Sequence, residues 1–303
     1  MDKAELESFL KVLPPVDFCC VYGSALHPNN HEKSTMVDYI LGVSDPEQWH
    51  SQNLKMNKRH YASWLAHLGG ARMITQIADE IGVGVHFNPF VSWNDKMFKY
   101  GIVRMHDLVQ DILNWERFYL SGRLQKPVHI LVDNLDLENV NSSNLRAAIS
   151  AALLLLPPKF TEVKKIVQGQ FDLFQSRYKS FLEEYEAKEL LRLTSYGSRQ
   201  TNISQDCGLS VARHLVNTLP PMVRSQMGMK LGEKTKLSDS GQVIHEVLIG
   251  SRDEAAKCMQ KVLRQKVLVS SARQAVSGLL TAGGVNAVRY LANKMCKAWK
   301  SLR

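Results

Sequence analysis

Residues 17–24 read DFCCVYGS and residues 36–44 read MVDYILGVS, and the fold turns on how these two stretches are joined. Both are rich in β-branched and aromatic residues, which predicts two strands flanking the polar loop SALHPNNHEKST. The first runs straight into Gly23-Ser24, and the second carries a lone acid, Asp38. Upstream, residues 4–13 predict a short helix stopped by Pro14-Pro15. Downstream, Ser44-Asp45-Pro46-Glu47 has the form of a helix start, with a capping residue, a proline at the first helical position and an acid in the first turn. That helix is expected to continue through EQWHSQNLKMNKRHYASWLAHL to Gly69-Gly70. A second helix, ARMITQIADEI, leads to the alternating strand VGVHFNPFVS, a turn at Asn94-Asp95 and the strand MFKYGIVRM. Strands interleaved with helices make this part α/β or α+β.

From about residue 106 the pattern becomes helical, in HDLVQDILNWERFYLSGRL, NLRAAISAALLLL and VKKIVQGQFDLFQSRYKSFLEEYEAKELLRL. Residues 195–250 are polar and rich in Ser and Gly, and are expected to form a linker or loosely ordered region. A last helical stretch covers 251–303, broken at Gly283-Gly284. The expected division is therefore 1–105, 106–194, 195–250 and 251–303. A composition 45% hydrophobic and 22% charged over 303 residues suits a folded rather than a disordered chain. The longest apolar run, AAISAALLLL, is halted by Pro157-Pro158 and is too short to span a bilayer, so membrane contact would be peripheral. The five cysteines have no ligand spacing, which argues for a reducing compartment and against zinc. The N-terminus mixes Asp2, Glu5 and Glu7 with two lysines, unlike an Arg-rich transit peptide.

A Gly-Ser ending one strand and an acid on the next fit the pattern that marks nucleotidyltransferases. Glycine lets the backbone approach a triphosphate, a hydroxyl and amides donate to its oxygens, and carboxylates hold Mg²⁺ against it. Gly23, Ser24 and Asp38 fit that pattern; Ile40 stands where a second carboxylate is usual. On these residues alone an ordinary strand, turn and strand is the simpler reading. Asp45 is either a further ligand or the cap of the helix at Pro46, and Asp107 and Asp111, four apart, are expected on a solvated helix face. His50, Asn53, Asn57, His60 and Tyr61 recur at spacings of three and four, so they either form a donor-rich stripe for a nucleotide or face solvent above Trp49, Leu54, Met56 and Trp64. Lys55 is a point charge beside them. Arg123 and Lys126, in SGRLQKPV, suit a polyphosphate or simply solubility.

The charge of +9 is concentrated in the tail: residues 257–303 hold ten Lys/Arg and no Asp/Glu, against 28 basic and 29 acidic groups before them. On a wheel of 100° per residue, Val288, Leu291, Ala292, Met295, Trp299 and Leu302 fall within about 60° of Val288. Arg289, Lys294, Lys297, Lys300 and Arg303 take the other side, the pattern of a helix lying in an anionic membrane interface. The alternatives are a helix docked on the core or an arm for nucleic acid, for which no recognition motif accompanies the charge.

Together the blocks VYGSALHP, MVDYILGVSDPEQWHSQNLKMNKRHYASWL, GVGVHFNPF, KYGIVRMHDLVQDILNWERFYLSGRLQKPV, NLRAAISAALLLLPPKFTE and SSARQAVSGLLTAGG resemble the mitochondrial CDP-diacylglycerol synthases (phosphatidate cytidylyltransferases) of the translocator assembly and maintenance family. The wording of CCVYGSALHPNN is closest to plant members. The resemblance implies an α+β fold: a nucleotidyltransferase-like mixed sheet with helices, then a helical domain and a basic amphipathic C-terminal helix. It implies a reaction of CTP with phosphatidic acid to CDP-diacylglycerol and pyrophosphate, with Mg²⁺, for cardiolipin synthesis at the matrix face of the mitochondrial inner membrane. By the same resemblance Gly23 and Ser24 form the nucleotide-phosphate turn, and Asp38 is the metal-binding, catalytic carboxylate. Lys55 is implied as catalytic, and His50, Asn53, Asn57, His60, Tyr61, Arg123 and Lys126 as nucleotide-binding. Arg289, Lys294, Lys297, Trp299 and Lys300 are expected to meet anionic inner-membrane lipids, and no nucleic acid partner is expected. The resemblance also implies a gap. After LLPPKFTE the family continues for roughly thirty residues with a Ser-Tyr-x-Gly-Asp-x-Arg-like signature, whereas here Glu162 passes directly to Val163. The alternatives are therefore a catalytically impaired isoform, or a non-catalytic peripheral assembly factor.

Overall fold

The computed structural model describes residues 3–23, 36–156, 171–195, 201–237 and 243–282. The chain forms two compact units. The first comprises residues 1–109, 128–137 and 268–303, and the second residues 110–127 and 138–267.

The first unit is built on five strands: β1 (Phe18–Tyr22), β2 (Val37–Val43), β3 (Val85–Trp93), β4 (Lys96–Arg104) and β5 (His129–Asp133). Their order is β3-β4-β2-β1-β5, with β2 and β4 parallel and the other neighbours antiparallel. The parallel pair demands a long crossover, supplied by helices α2 (Pro46–Met56) and α3 (Gly70–Gln76). Helix α1 (Lys3–Leu10) sends Leu6 and Phe9 into the core, where Phe9 stacks on Phe98 at 4.3 Å. Edge strand β3 carries Pro89 at a bulge between Asn88 and Val91, a place where a missing N–H costs the ladder nothing. The fold is the mixed α+β architecture expected. Strand β5 is an addition, because the sequence pattern places no strand after residue 106.

Two local expectations are corrected. The long helix after Pro46 ends at Met56, and a 3₁₀ turn over Lys58–His60 follows. Asn57 ends it: its side-chain Nδ2 donates to the Val12 carbonyl at 2.7 Å and to Asn53 Oδ1 at 2.8 Å, an alternative to continued helix that asparagine favours. Residues 195–250 are not a loose linker in their described parts. They contain α8 (Leu209–Asn217), α9 (Pro221–Leu231) and the hairpin β8 (Glu233–Leu237)–β9 (Val243–Val247). Their sparse apolar residues Ala212, Leu215, Val216, Leu219, Val223 and Met227 all enter the second unit's core, together with residues of α6 (Leu137–Leu155) and α10 (Arg252–Ala282). A high polar fraction hid a stripe spaced by three and four. The second unit also holds α4 from Gln110 to its end (Met105–Asn114 in full), α5 (Ser121–Leu124), α7 (Phe171–Ala187) and the hairpin β6 (Leu191–Ser195)–β7 (Thr201–Gln205).

Candidate active site

β1 ends at Tyr22, which pairs with Asp38 of β2, so the turn residue Gly23 lies beside that acid. Gly23 has φ +101°, a backbone conformation that side chains resist. A Cβ placed there would also come within 2.9 Å of Asp38 Oδ2. Glycine is thus required twice over, by conformation and by the carboxylate pressed against the bend. The Asp38 side chain keeps 24% of its surface in solvent, so it is neither remote from the turn nor sealed among apolar groups. Ser24 lies outside the described residues, as do Arg289, Lys294, Lys297, Trp299 and Lys300 of the tail.

A lysine of β4 approaches this acid. Lys99, opposite Asp38 in the parallel β2–β4 register, brings Nζ to 3.8 Å from Oδ1. Lys99 was not among the residues singled out in the sequence. Its placement follows from a register between strands sixty residues apart, which local pattern does not reveal. Among the described residues there is no group of three or more His, Cys, Asp and Glu side chains suited to a metal. A single carboxylate at a glycine bend is nonetheless a fitting donor set for Mg²⁺, which keeps several waters and takes its remaining ligands from substrate phosphates.

The stripe on and after α2 has a different fate from either expectation. His50 and Asn53 are fully buried, Tyr61 nearly so, and Asn57 and His60 half-buried. The break at Asn57 folds Tyr61 back over α2. Asn53 Nδ2 donates to the hydroxyls of Tyr61 (2.8 Å) and Tyr100 (2.9 Å). Each hydroxyl then has its own proton to give: Tyr61 to His50 Nδ1 at 2.9 Å and Tyr100 to His60 Nδ1 at 2.8 Å. Burial lowers the pKa of both histidines, as it must if their ring nitrogens are acceptors. His86, on β3, is pushed down to about 4 by burial; its Nε2 faces Asn88 Oδ1 at 3.0 Å, while Nδ1 is buried with no partner.

This network and Asp38 occupy opposite faces of the sheet. Successive strand side chains alternate, and the registers set Asp38 with Lys99, Ile40 with Gly101, Asn88 with Tyr100 and His86 with Ile102. Tyr100, Asn88 and His86 therefore share one face with Tyr39, while Asp38, Lys99, Gly101 and Phe87 share the other. As direct nucleotide ligands beside Asp38, His50, Asn53 and Tyr61 are on the wrong side and already satisfied. Their arrangement holds β3, β4 and α2 in place. Lys55 is exposed on α2.

The remaining acids are structural. Asp45 caps α2, accepting from the Gln48 amide at 3.1 Å. Asp107 pairs with Arg104 at 2.8 Å. Asp111, expected on a solvated face, is buried in the second unit. Its two oxygens accept the backbone N–H groups of Arg117, Phe118, Tyr119, Leu120 and Ser121 at 2.7–3.1 Å. That carboxylate organises a loop in which Trp115 and Phe118 take positive φ, +50° and +52°. The loop leads into α5, where the Arg123 guanidinium stacks 3.8 Å from the Tyr119 ring centroid and donates to the Tyr119 carbonyl. Lys126 is exposed just beyond.

The fold is a mixed α+β sheet with a glycine bend that sets one carboxylate at a strand end, an arrangement compatible with a nucleotidyltransferase. Comparison with known proteins makes it specific. The family described as "Phosphatidate cytidylyltransferase, mitochondrial" matches residues 6–164 and 161–297. The mouse phosphatidate cytidylyltransferase, mitochondrial, is 31% identical over 92% of this chain and 89% of its own. The Xenopus laevis protein of the same name is 30% identical over 93% and 89%, and that of Schizosaccharomyces pombe 27% over 93% and 80%. The chain belongs to this family of nucleotidyltransferases. The two matched segments meet at 161–164, where the sequence resemblance sets the missing piece. With 92% of 303 residues being about 279, roughly 28 of the 307 positions aligned with the mouse protein have no counterpart here. The junction itself lies outside the described residues.

Proposed function

We propose that this protein transfers the cytidylyl group of CTP to phosphatidic acid, giving CDP-diacylglycerol and pyrophosphate. The observation that carries this reading, beside family membership, is the Asp38 carboxylate set against the Gly23 bend at the end of β1. A phosphate oxygen of phosphatidate, ionised near neutral pH, attacks the α-phosphorus of CTP. The bond from that phosphorus to the bridging oxygen of the β-phosphate breaks, and its electron pair leaves with pyrophosphate. The nucleophile needs no base, so the absence of a triad among the described residues is no obstacle. What the chain must supply is alignment and charge neutralisation. Gly23 lets the backbone close on the triphosphate, and Asp38 would hold Mg²⁺, which when bound offsets charge on the phosphates. Lys55, exposed on α2 across the sheet from Asp38, stands as a separate candidate tested by its own alanine variant. Arg123 and Lys126 belong to the second unit and stand as separate candidates for phosphate binding, each tested by its own alanine variant.

The product would feed cardiolipin synthesis, with the protein held peripherally at the matrix side of the inner membrane. No described helix is long and apolar enough to cross a bilayer. The last turns of α10 support the peripheral reading: Ser270, Ser277 and Thr281 face inward, while Leu268 (61% exposed), Val269, Val276, Leu279 and Leu280 face out. An apolar outer stripe on an acid-free segment, followed by five more basic residues, suits anionic lipid at on the order of 1 kcal/mol per basic group.

The test is radiolabelled CTP with phosphatidate-containing liposomes, in which lipid-linked CMP is the expected product. Binding to liposomes without incorporation would leave only an assembly factor. A second reading, a catalytically impaired chain, is supported by the roughly 28 unmatched positions together with the break between the two family-matched segments at 161–164. Restoring that segment from a relative raises incorporation if the reading holds, and leaves it unchanged if the chain is complete as a catalyst.

A further inference from the structure

Strand β4 contributes a lysine to the Asp38 face under unusual constraint. The Lys99 side chain is only 14% exposed, 3.8 Å from Asp38, with its ammonium 4.3 Å from the centroid of the Phe87 ring. Lysines are seldom so enclosed, and withdrawing two charges from water offsets much of what their attraction gains, so a structural role alone is a weak reason for the arrangement. The ring beneath it is itself placed by a glycine. Phe87 pairs with Gly101, and a Cβ at Gly101 would come within 2.5 Å of the ring. Lys99 and Gly101, two residues apart on one strand face, therefore act together: one carries the charge and the other makes room for the ring that steers it.

We propose that Lys99 is a phosphate-binding residue of the nucleotide site, paired with Asp38 in the empty protein and turned to the triphosphate once nucleotide arrives; Phe87, seated on Gly101, is its positioning residue. This rests on the reading of Gly23 and Asp38 as the nucleotide turn. A carboxylate standing alone at such a turn repels a polyphosphate. An ammonium within 4 Å cancels most of that repulsion and, being a point charge on a flexible stem, reaches the phosphates by rotating about its own bonds.

The inference is tested by equilibrium binding of CTP and of cytidine to the full chain, in EDTA and in Mg²⁺, alongside turnover. Lys99→Met is expected to weaken CTP about tenfold or more in both buffers and to leave cytidine unchanged, with Lys99→Arg recovering most of the loss. Asp38→Asn is expected to bind CTP in EDTA at least as well as the parent while losing turnover. Phe87→Leu is expected to raise KM for CTP more than it lowers kcat. CTP affinity within twofold of the parent for Lys99→Met in both buffers overturns the inference, while an inactive Asp38→Asn in the same series leaves the underlying site standing. An active Asp38→Asn overturns that site first. Should Lys99→Met not fold, Lys99→Gln and Lys99→Arg make the same comparison of charge, and loss in the first with recovery in the second supports the role.

Discussion

One face of the five-stranded sheet carries Asp38 and Lys99 partly in water; the other carries His50, Asn53, Tyr61 and Tyr100 in a sealed layer. The same strands build both, since Lys99 and Tyr100 are neighbours in β4. On the sealed face the hydroxyls and Asn53 find partners within the protein, so burial costs little and register is enforced. On the open face the charged groups remain in reach of solvent, Asp38 at 24% and Lys99 at 14% exposure. A charged pair beside a glycine bend leaves room for something to be added. The lesson is that a cluster of polar residues in a sequence does not declare its purpose. Polar groups sealed from water hold strands in register, and those a ligand can reach beside a forced glycine are the candidates for chemistry.

The sharpest way to break this comparison is Asp38→Asn. On the open face, removing the charge should cost turnover on the order of 10³-fold. Melting temperature should move much less than turnover, because the Asp38 side chain keeps 24% of its surface in solvent and its pair with Lys99 is 3.8 Å long. A variant that melts far lower but turns over normally per folded molecule would reverse the assignment of the two faces.

Asn53→Ala should do the opposite. It leaves the hydroxyls of Tyr61 and Tyr100 without the Asn53 donor and removes one of the two acceptors of Asn57 Nδ2, in a layer with no solvent to replace them. A loss of about 2–3 kcal/mol in denaturant unfolding is expected. Activity of the folded fraction should change much less than in Asp38→Asn.

How much of this was legible beforehand follows from the range of each interaction. The strand ends, the Asp45 cap and the glycine bend are written in adjacent residues, and the residues show them. The family resemblance was legible for the same reason, in long contiguous blocks. Asp38 against Gly23 was a fair inference because both lie at the ends of one hairpin. The face on which Asn53 lies was not legible. It depends on Asn57 breaking a helix whose periodicity continues past it, and on the β3–β4 register that brings Tyr100 opposite Asn88. Asp111 escaped likewise. Its spacing from Asp107 suggests a wet helix face, whereas the carboxylate is buried by a loop that follows it in sequence and folds onto it.

The sealed face also predicts an acid sensitivity. Burial holds His86 near 4 and lowers His50, against about 6.5 in an unfolded chain. Between those values the unfolded chain binds protons that the folded one refuses. The stabilisation is complete above about pH 6.5 and drains away as pH falls toward 4. The slope approaches about 1.4 kcal/mol per pH unit for each such histidine. Chemical denaturation at stepped pH measures it, and His86→Asn should flatten the curve over this window.

Tyr61→Phe makes the smallest and most discriminating change. It deletes one oxygen, leaves the ring stacked on His86, and keeps the volume of the layer. The hydroxyl accepts from Asn53 and meets His50 Nδ1, so its loss strands an acceptor on His50 and one of the two donors of Asn53 Nδ2. The other donor still reaches Tyr100, so the network is wounded rather than dismantled, and about 1 kcal/mol is expected. A buried histidine without its partner has less reason to stay neutral, yet desolvation remains the larger influence on it, so the acid sensitivity should persist. If the hydroxyl instead touched nucleotide, Tyr61→Phe would raise KM for CTP with stability almost unchanged. The two measurements on one variant therefore decide whether this layer holds the sheet or holds the substrate.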